Sequence, residues 1–107
     1  MHVHVRDDGP GAVVAVSGRI TIDSSPELRS LLFQRLFAPG GGPVTLDLSK
    51  VVYMDTSALA VLLEVLRAAG QLHKDFHLAG LSGRPRYLME ATGLIHLFRE
   101  VPLEASA

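Results

Sequence analysis

The chain has neither cysteine nor tryptophan among its 107 residues, and charged residues make up only 20% of it. Without cysteine there is no disulfide, no thiolate metal site and no cysteine nucleophile, a usage that fits a reducing compartment. Also missing is any apolar run near the roughly eighteen residues of a membrane span, and the opening MHVHVRDDG lacks the basic and apolar regions of a signal peptide. Cytoplasmic residence without membrane attachment is the expectation. The formal charge is −1 and the Lys and Arg residues are scattered rather than clustered. The electrostatic footprint of a nucleic-acid surface is therefore absent, and no direct contact with DNA or RNA is expected.

What is present is a chain of domain size, 48% hydrophobic, with glycine and proline gathered in short breaker clusters. Such a chain buries a core without staples. One domain over 1–107 is expected, with an ordered core of about 2–102 and a short C-terminal tail. His2 to Val5 alternates, Asp7-Asp8-Gly9-Pro10-Gly11 breaks, and Ala12 to Val16 is a β-branched run, so a hairpin opens the domain. Ser24 and Glu27 have capping-box spacing and Pro26 suits a first helical turn, which starts a first helix that Ala38-Pro39-Gly40-Gly41-Gly42-Pro43 stops. Val44 to Leu48 reads as a buried strand ended by Ser49 and Lys50. Asp55-Thr56-Ser57 then stands just before a long apolar helical pattern that Gly70 closes. Phe76 to Gly80 is another short strand. Ser82-Gly83-Arg84-Pro85 opens a third helix with Tyr87, Leu88, Ala91 and Leu94 as its apolar face and Gly93 as its end, and Leu97 to Val101 supplies a last strand. Strands alternating with helices after a hairpin predict an α/β domain with a mixed sheet and helices packed on it.

Three constellations invite a catalytic or metal reading. A serine at a strand-to-helix turn describes a nucleophile elbow, but Thr56 and Ala58 flank Ser57 where Gly-x-Ser-x-Gly would be needed, so serine hydrolysis is not expected. His2 with His4, and His73 with His77, have spacings seen in metal sites, yet no further ligand cluster accompanies them, and ordinary surface or strand histidines are the commoner case. Asp23 and Asp55 could form a carboxylate pair for acid–base work, but each stands just before a helix, where capping accounts for it. The triple glycine precedes a strand and lacks the Gly-Lys-Ser/Thr of a phosphate loop. No catalytic residue, metal or cofactor is expected.

The helix after Ser57 is harder to assign. Leu59, Leu62, Leu63 and Leu66 follow the i, i+3, i+4, i+7 spacing of a face packed on a sheet. Ser57, Ala60, Val61, Glu64, Val65 and Ala68 form a second stripe, mostly small or apolar where a surface helix carries charge. Either this stripe meets a partner, which predicts that Val61 and Val65 are largely exposed, or the helix is buried on both sides by its own domain. A hydroxyl at the helix N-terminus also lies where a phosphate is well received, because first-turn N–H groups lack partners there. Ser57 is the candidate.

Asp47-Leu48-Ser49-Lys50-Val51-Val52-Tyr53-Met54-Asp55-Thr56-Ser57-Ala58-Leu59 resembles the signature of STAS domains, specifically bacterial anti-sigma factor antagonists of the sporulation and stress-response type. Gly18 to Asp23 with Ser25 to Leu28, and Tyr87 to Leu94, are similar to further segments of that family, so the resemblance covers nearly the whole chain. It implies a non-enzymatic partner-switching module. The unmodified domain binds an anti-sigma factor serine kinase and frees a sigma factor; phosphorylation at Ser57 ends binding, and a phosphatase acting on phospho-Ser57 restores it. By the same resemblance Asp23, Asp55, Thr56, Ser57 and Ala58 belong to the expected partner-binding surface, to which the second stripe of the helix adds Val61, Glu64 and Val65. A STAS scaffold or transport-accessory subunit that is not phosphorylated is the alternative. Two departures stand out: Ala58 replaces the usual glycine and adds a methyl at the docking site, and Pro102 to Ala107 is too short for the further amphipathic helix of many relatives. The second leaves a sheet face uncovered, or covered by another subunit in a homodimer.

Overall fold

The computed structural model describes residues 1–103; the rest of the expected tail, 104–107, lies outside the described residues. β1 (His2–Asp8) and β2 (Gly11–Ile20) pair antiparallel as the opening hairpin. Its turn needs a left-handed residue, and Gly9 supplies it with φ +61°. Then come α1 (Ser25–Phe37), β3 (Val44–Met54), α2 (Thr56–Gln71), β4 (Phe76–Ala79), α3 (Gly83–Ala91), a 3₁₀ turn at Leu94–Leu97 and β5 (Arg99–Val101). The strands lie in the order β1-β2-β3-β4-β5, and every pair after the first is parallel. The mixed α/β sheet expected from the alternation of elements is the one formed.

β3 is the central strand, and it runs further than its sequence suggests. Ser49 and Lys50 do not end it. Pairing with β2 steps from Ala15↔Asp47 to Ser17↔Lys50 and from Gly18↔Val51 to Arg19↔Tyr53, so β3 carries an extra residue at each step. Irregularities of this kind bend a strand and re-aim its side chains. Val52 is turned outward, 62% exposed, while Val51 and Met54 stay buried. Gly18 accommodates the second step with φ +90°.

The core lies between one face of the sheet and the helices. Val14, Val16, Leu46, Leu48 and Leu78 from the strands meet Leu28, Leu32 and Leu36 of α1, Leu59 and Leu62 of α2, and Met89 of α3. Each such side chain contributes about 1.5–3 kcal/mol relative to exposure. Across the strands in register run Arg6, Val13, Thr45, His77 and Arg99, and this row is largely polar.

Three local expectations are corrected. Ser24 stands at the N-cap position of α1 but makes no side-chain cap; its Oγ accepts the Thr21 N–H at 3.0 Å and tightens the turn ahead of the helix. The capping-box spacing to Glu27 is therefore unused. Gly70 is not the C-cap of α2, which continues to Gln71 and is capped at Leu72, with His73 in the left-handed region at φ +55°. In α3, Pro85 and Met89 are buried and Leu88 half-buried, an i, i+3, i+4 stripe, whereas Tyr87 and Ala91 point to solvent. Gly93, at φ +74°, does end that segment as expected.

Candidate functional site

The site forms where β3 runs into α2. Asp55 is the N-cap, with extended backbone (φ −104°, ψ −175°), and its Oδ1 accepts the Ser57 N–H at 2.9 Å. An aspartate in this position satisfies a donor that the helix cannot, which is why the helix begins here. The Ser57 hydroxyl donates to the same Oδ1 at 2.5 Å. Oδ2 accepts the N–H of Ile22, 33 positions earlier, at 3.1 Å, and the Asp55 N–H donates to the Ile20 carbonyl at 3.1 Å. One carboxylate thus joins the start of α2 to the loop between β2 and α1. Asp23 is exposed in that loop, next to the tethered Ile22.

These bonds set the charge state of the cap. The Ser57 hydroxyl is the largest influence holding the Asp55 carboxyl below the usual carboxylate range; the N–H groups of Ser57, Ile22 and Ala58 act in the same direction, and partial burial opposes them. Asp55 is accordingly an anion at neutral pH. Ser57 is half-buried and Thr56 exposed, so both hydroxyl residues lie at the rim of the helix start.

Other expected members of the surface fall differently. Val61 is 6% exposed and Val65 0%, so the expectation that they are solvent-exposed is corrected. The cause is α1, which lies alongside α2: Arg29 of α1 grips Glu64 of α2 with Nε 3.0 Å and Nη2 2.6 Å from Oε2. The valines between the helices join the core. The hydrogen bonds from Arg29 hold the Glu64 carboxyl below its ordinary range, with a smaller contribution from the charge itself. Glu64 stays exposed, as does Ala60, and Ala68 is half-buried. On the other stripe Leu59 and Leu62 are buried and Leu63 and Leu66 half-buried. Ala58 is fully buried, so its methyl lies in the core and not on a docking surface.

Sequence reasoning missed what flanks the cap. Ile22, whose N–H is bonded to Asp55, is 72% exposed, and Asp55 also lines a groove of about 470 Å³ together with Tyr53, Thr56, Arg84, Tyr87 and Leu88 among others. The Arg19 guanidinium lies 4.3 Å from the centroid of the Tyr53 ring and that of Arg84 5.6 Å from it. The exposed Tyr87 follows from the rotation of α3 described above. Among the described residues no cluster of three or more His, Asp or Glu has metal-binding geometry, and no helix is long and apolar enough to cross a membrane.

A family model described as "Mlab, STAS domain" matches residues 3–100. The anti-sigma-B factor antagonist of Staphylococcus aureus is 32% identical over 81 residues, which span 76% of this chain and 74% of that protein. The putative sulfate transporter YvdB of Bacillus subtilis is 33% identical over 93 residues, 85% of this chain but 17% of the transporter. Among solved structures, the Bacillus cell fate determinant SpoIIAA in its phosphorylated form aligns with a TM-score of 0.75 at 13% identity, covering 98% of this chain and 94% of that one; at this identity the likeness is one of fold. The extent of the family match, together with the identity to the staphylococcal protein over three quarters of both chains, places this chain in the STAS-domain anti-sigma factor antagonist family.

Proposed function

We propose that the chain is a cytoplasmic partner-switching protein, a binding module and not an enzyme. Its unmodified form binds an anti-sigma factor serine kinase and frees a sigma factor, the kinase phosphorylates Ser57, and a phosphatase reverses the modification. The observation that carries this reading is the Ser57 hydroxyl, held at the start of α2 on the carboxylate of its own N-cap. A phosphoryl group there replaces one O–H donor with acceptor oxygens and about −1.5 to −2 charges at neutral pH. The helix N-terminus offsets about 0.3–1 kcal/mol of the repulsion from Asp55, so the fold survives. In a protein interface the same dianion must be desolvated, and an uncompensated buried charge costs several kcal/mol. The solvent-facing members of the surface are then Asp23, Thr56, Ser57 and Glu64, with Asp55 as their organiser.

The identity with a sulfate transporter over 85% of this chain favours a second reading, a STAS scaffold or transport-accessory subunit without phosphorylation. The two part at Ser57. Incubation with candidate serine kinases and ATP, followed by mass spectrometry, places phosphate on Ser57 under the first reading and leaves the chain unmodified under the second.

A further inference from the structure

We infer that the groove between the end of β3 and α3 is a second docking element that takes an acidic segment of a partner protein with an apolar side chain among its carboxylates. This rests on the partner-binding reading above and extends it from the start of α2 to α3. The apolar requirement comes from Tyr87, 72% exposed, and from Tyr53 and Leu88, which line the groove with it. Exposed aromatic rings that keep a polar tip are effective interface anchors. The acidic requirement comes from two exposed guanidinium groups at the Tyr53 ring, Arg84 in the groove lining and Arg19 outside it, set against the single carboxylate of Asp55 in the groove wall. Arg29, Arg35 and Arg86 are each paired with a carboxylate, but Arg19 and Arg84 have none within ion-pair distance among the described residues. Stacking on a ring orients a guanidinium while leaving its N–H fork to bind a carboxylate in two places. The groove is continuous with the switch, since Asp55 and Thr56 form part of its wall.

Both tyrosines of the chain lie in this groove and tryptophan is absent, so intrinsic fluorescence reports on it directly. The probes are a blocked hexapeptide Glu-Leu-Glu-Glu-Leu-Glu, its counterpart with lysine for each glutamate, and inorganic phosphate. The acidic peptide is expected to give a saturable change that weakens about tenfold in Arg84→Glu and in Arg19→Glu, and in high salt, where exposed charges are screened. The lysine peptide and phosphate should give none. No saturable response to the acidic peptide, equal affinity in the Arg84→Glu chain, or an equal response to phosphate overturns the inference. The kinase assay on Ser57 is read separately. Acidic-peptide binding without phosphorylation keeps the groove and removes the switch, whereas phosphorylation without acidic-peptide binding keeps the switch and removes the groove.

Discussion

The Asp55 carboxylate is shared between the Ser57 hydroxyl, 2.5 Å from Oδ1, and the Ile22 N–H, 3.1 Å from Oδ2. Starting the helix, holding the candidate acceptor and anchoring the loop that carries Asp23 are thus done by one side chain. Replacing Asp55 with Ala should cost about 1–2 kcal/mol in urea denaturation, the usual loss of a helix N-cap. Unchanged stability would mean that water replaces these bonds without penalty.

The same carboxylate makes stability depend on pH. Its folded-state pKa is depressed, chiefly by the Ser57 hydroxyl, so its stabilisation is complete above the unfolded value of about 3.9 and is lost as pH falls through the lower folded value. Thermal melts of the wild type and Asp55→Asn should therefore differ most above about pH 5 and converge in more acid solution. A gap that persists unchanged to the acid limit contradicts the assignment.

Val61 and Ala60 are neighbours on α2 with opposite environments, buried and exposed. Val61→Asp should lose about 3 kcal/mol or more, from lost apolar burial and an unpaired buried charge, whereas Ala60→Asp should melt close to the wild type. Circular dichroism melts decide between this and a partner-facing Val61, for which Val61→Asp would stay folded.

Gly80 ends β4 with φ +69°, and a Cβ placed on it would lie 2.6 Å from Ser49 Cβ and 2.9 Å from Ser49 Cα on the neighbouring strand. Gly80→Ala combines a left-handed alanine with a backbone clash, and a loss of about 2 kcal/mol in urea denaturation is expected. A neutral result would mean that β3 and β4 separate there at little cost.

Much of the architecture is legible in the sequence because it rests on local signals: the hairpin on alternation around Gly9, the start of α2 on Asp55, the end of α3 on Gly93. The geometry around the candidate acceptor is legible for the same reason, a serine two positions after a capping aspartate. What is not legible depends on tertiary packing. The stripe of Val61 and Val65 has the same spacing whether it meets a partner or α1, and only the position of α1, marked by the Arg29–Glu64 pair, decides. The outward turn of Val52 follows from two register steps between β2 and β3, for which an apolar run carries no sign. Arg19 and Arg84 are 65 positions apart in the chain, and only the fold brings both to Tyr53.

Calorimetric titration of the unmodified chain, the Ser57-phosphorylated chain and Ser57→Ala against the kinase that modifies it tests the central claim most directly. The unmodified chain and Ser57→Ala should bind alike, and phosphorylation should weaken binding by about two to three orders of magnitude, the equivalent of about 3–4 kcal/mol, while the melting profile stays that of a folded protein. Equal affinity for the unmodified and phosphorylated chains, or phosphate found on Thr56 alone, would contradict the account.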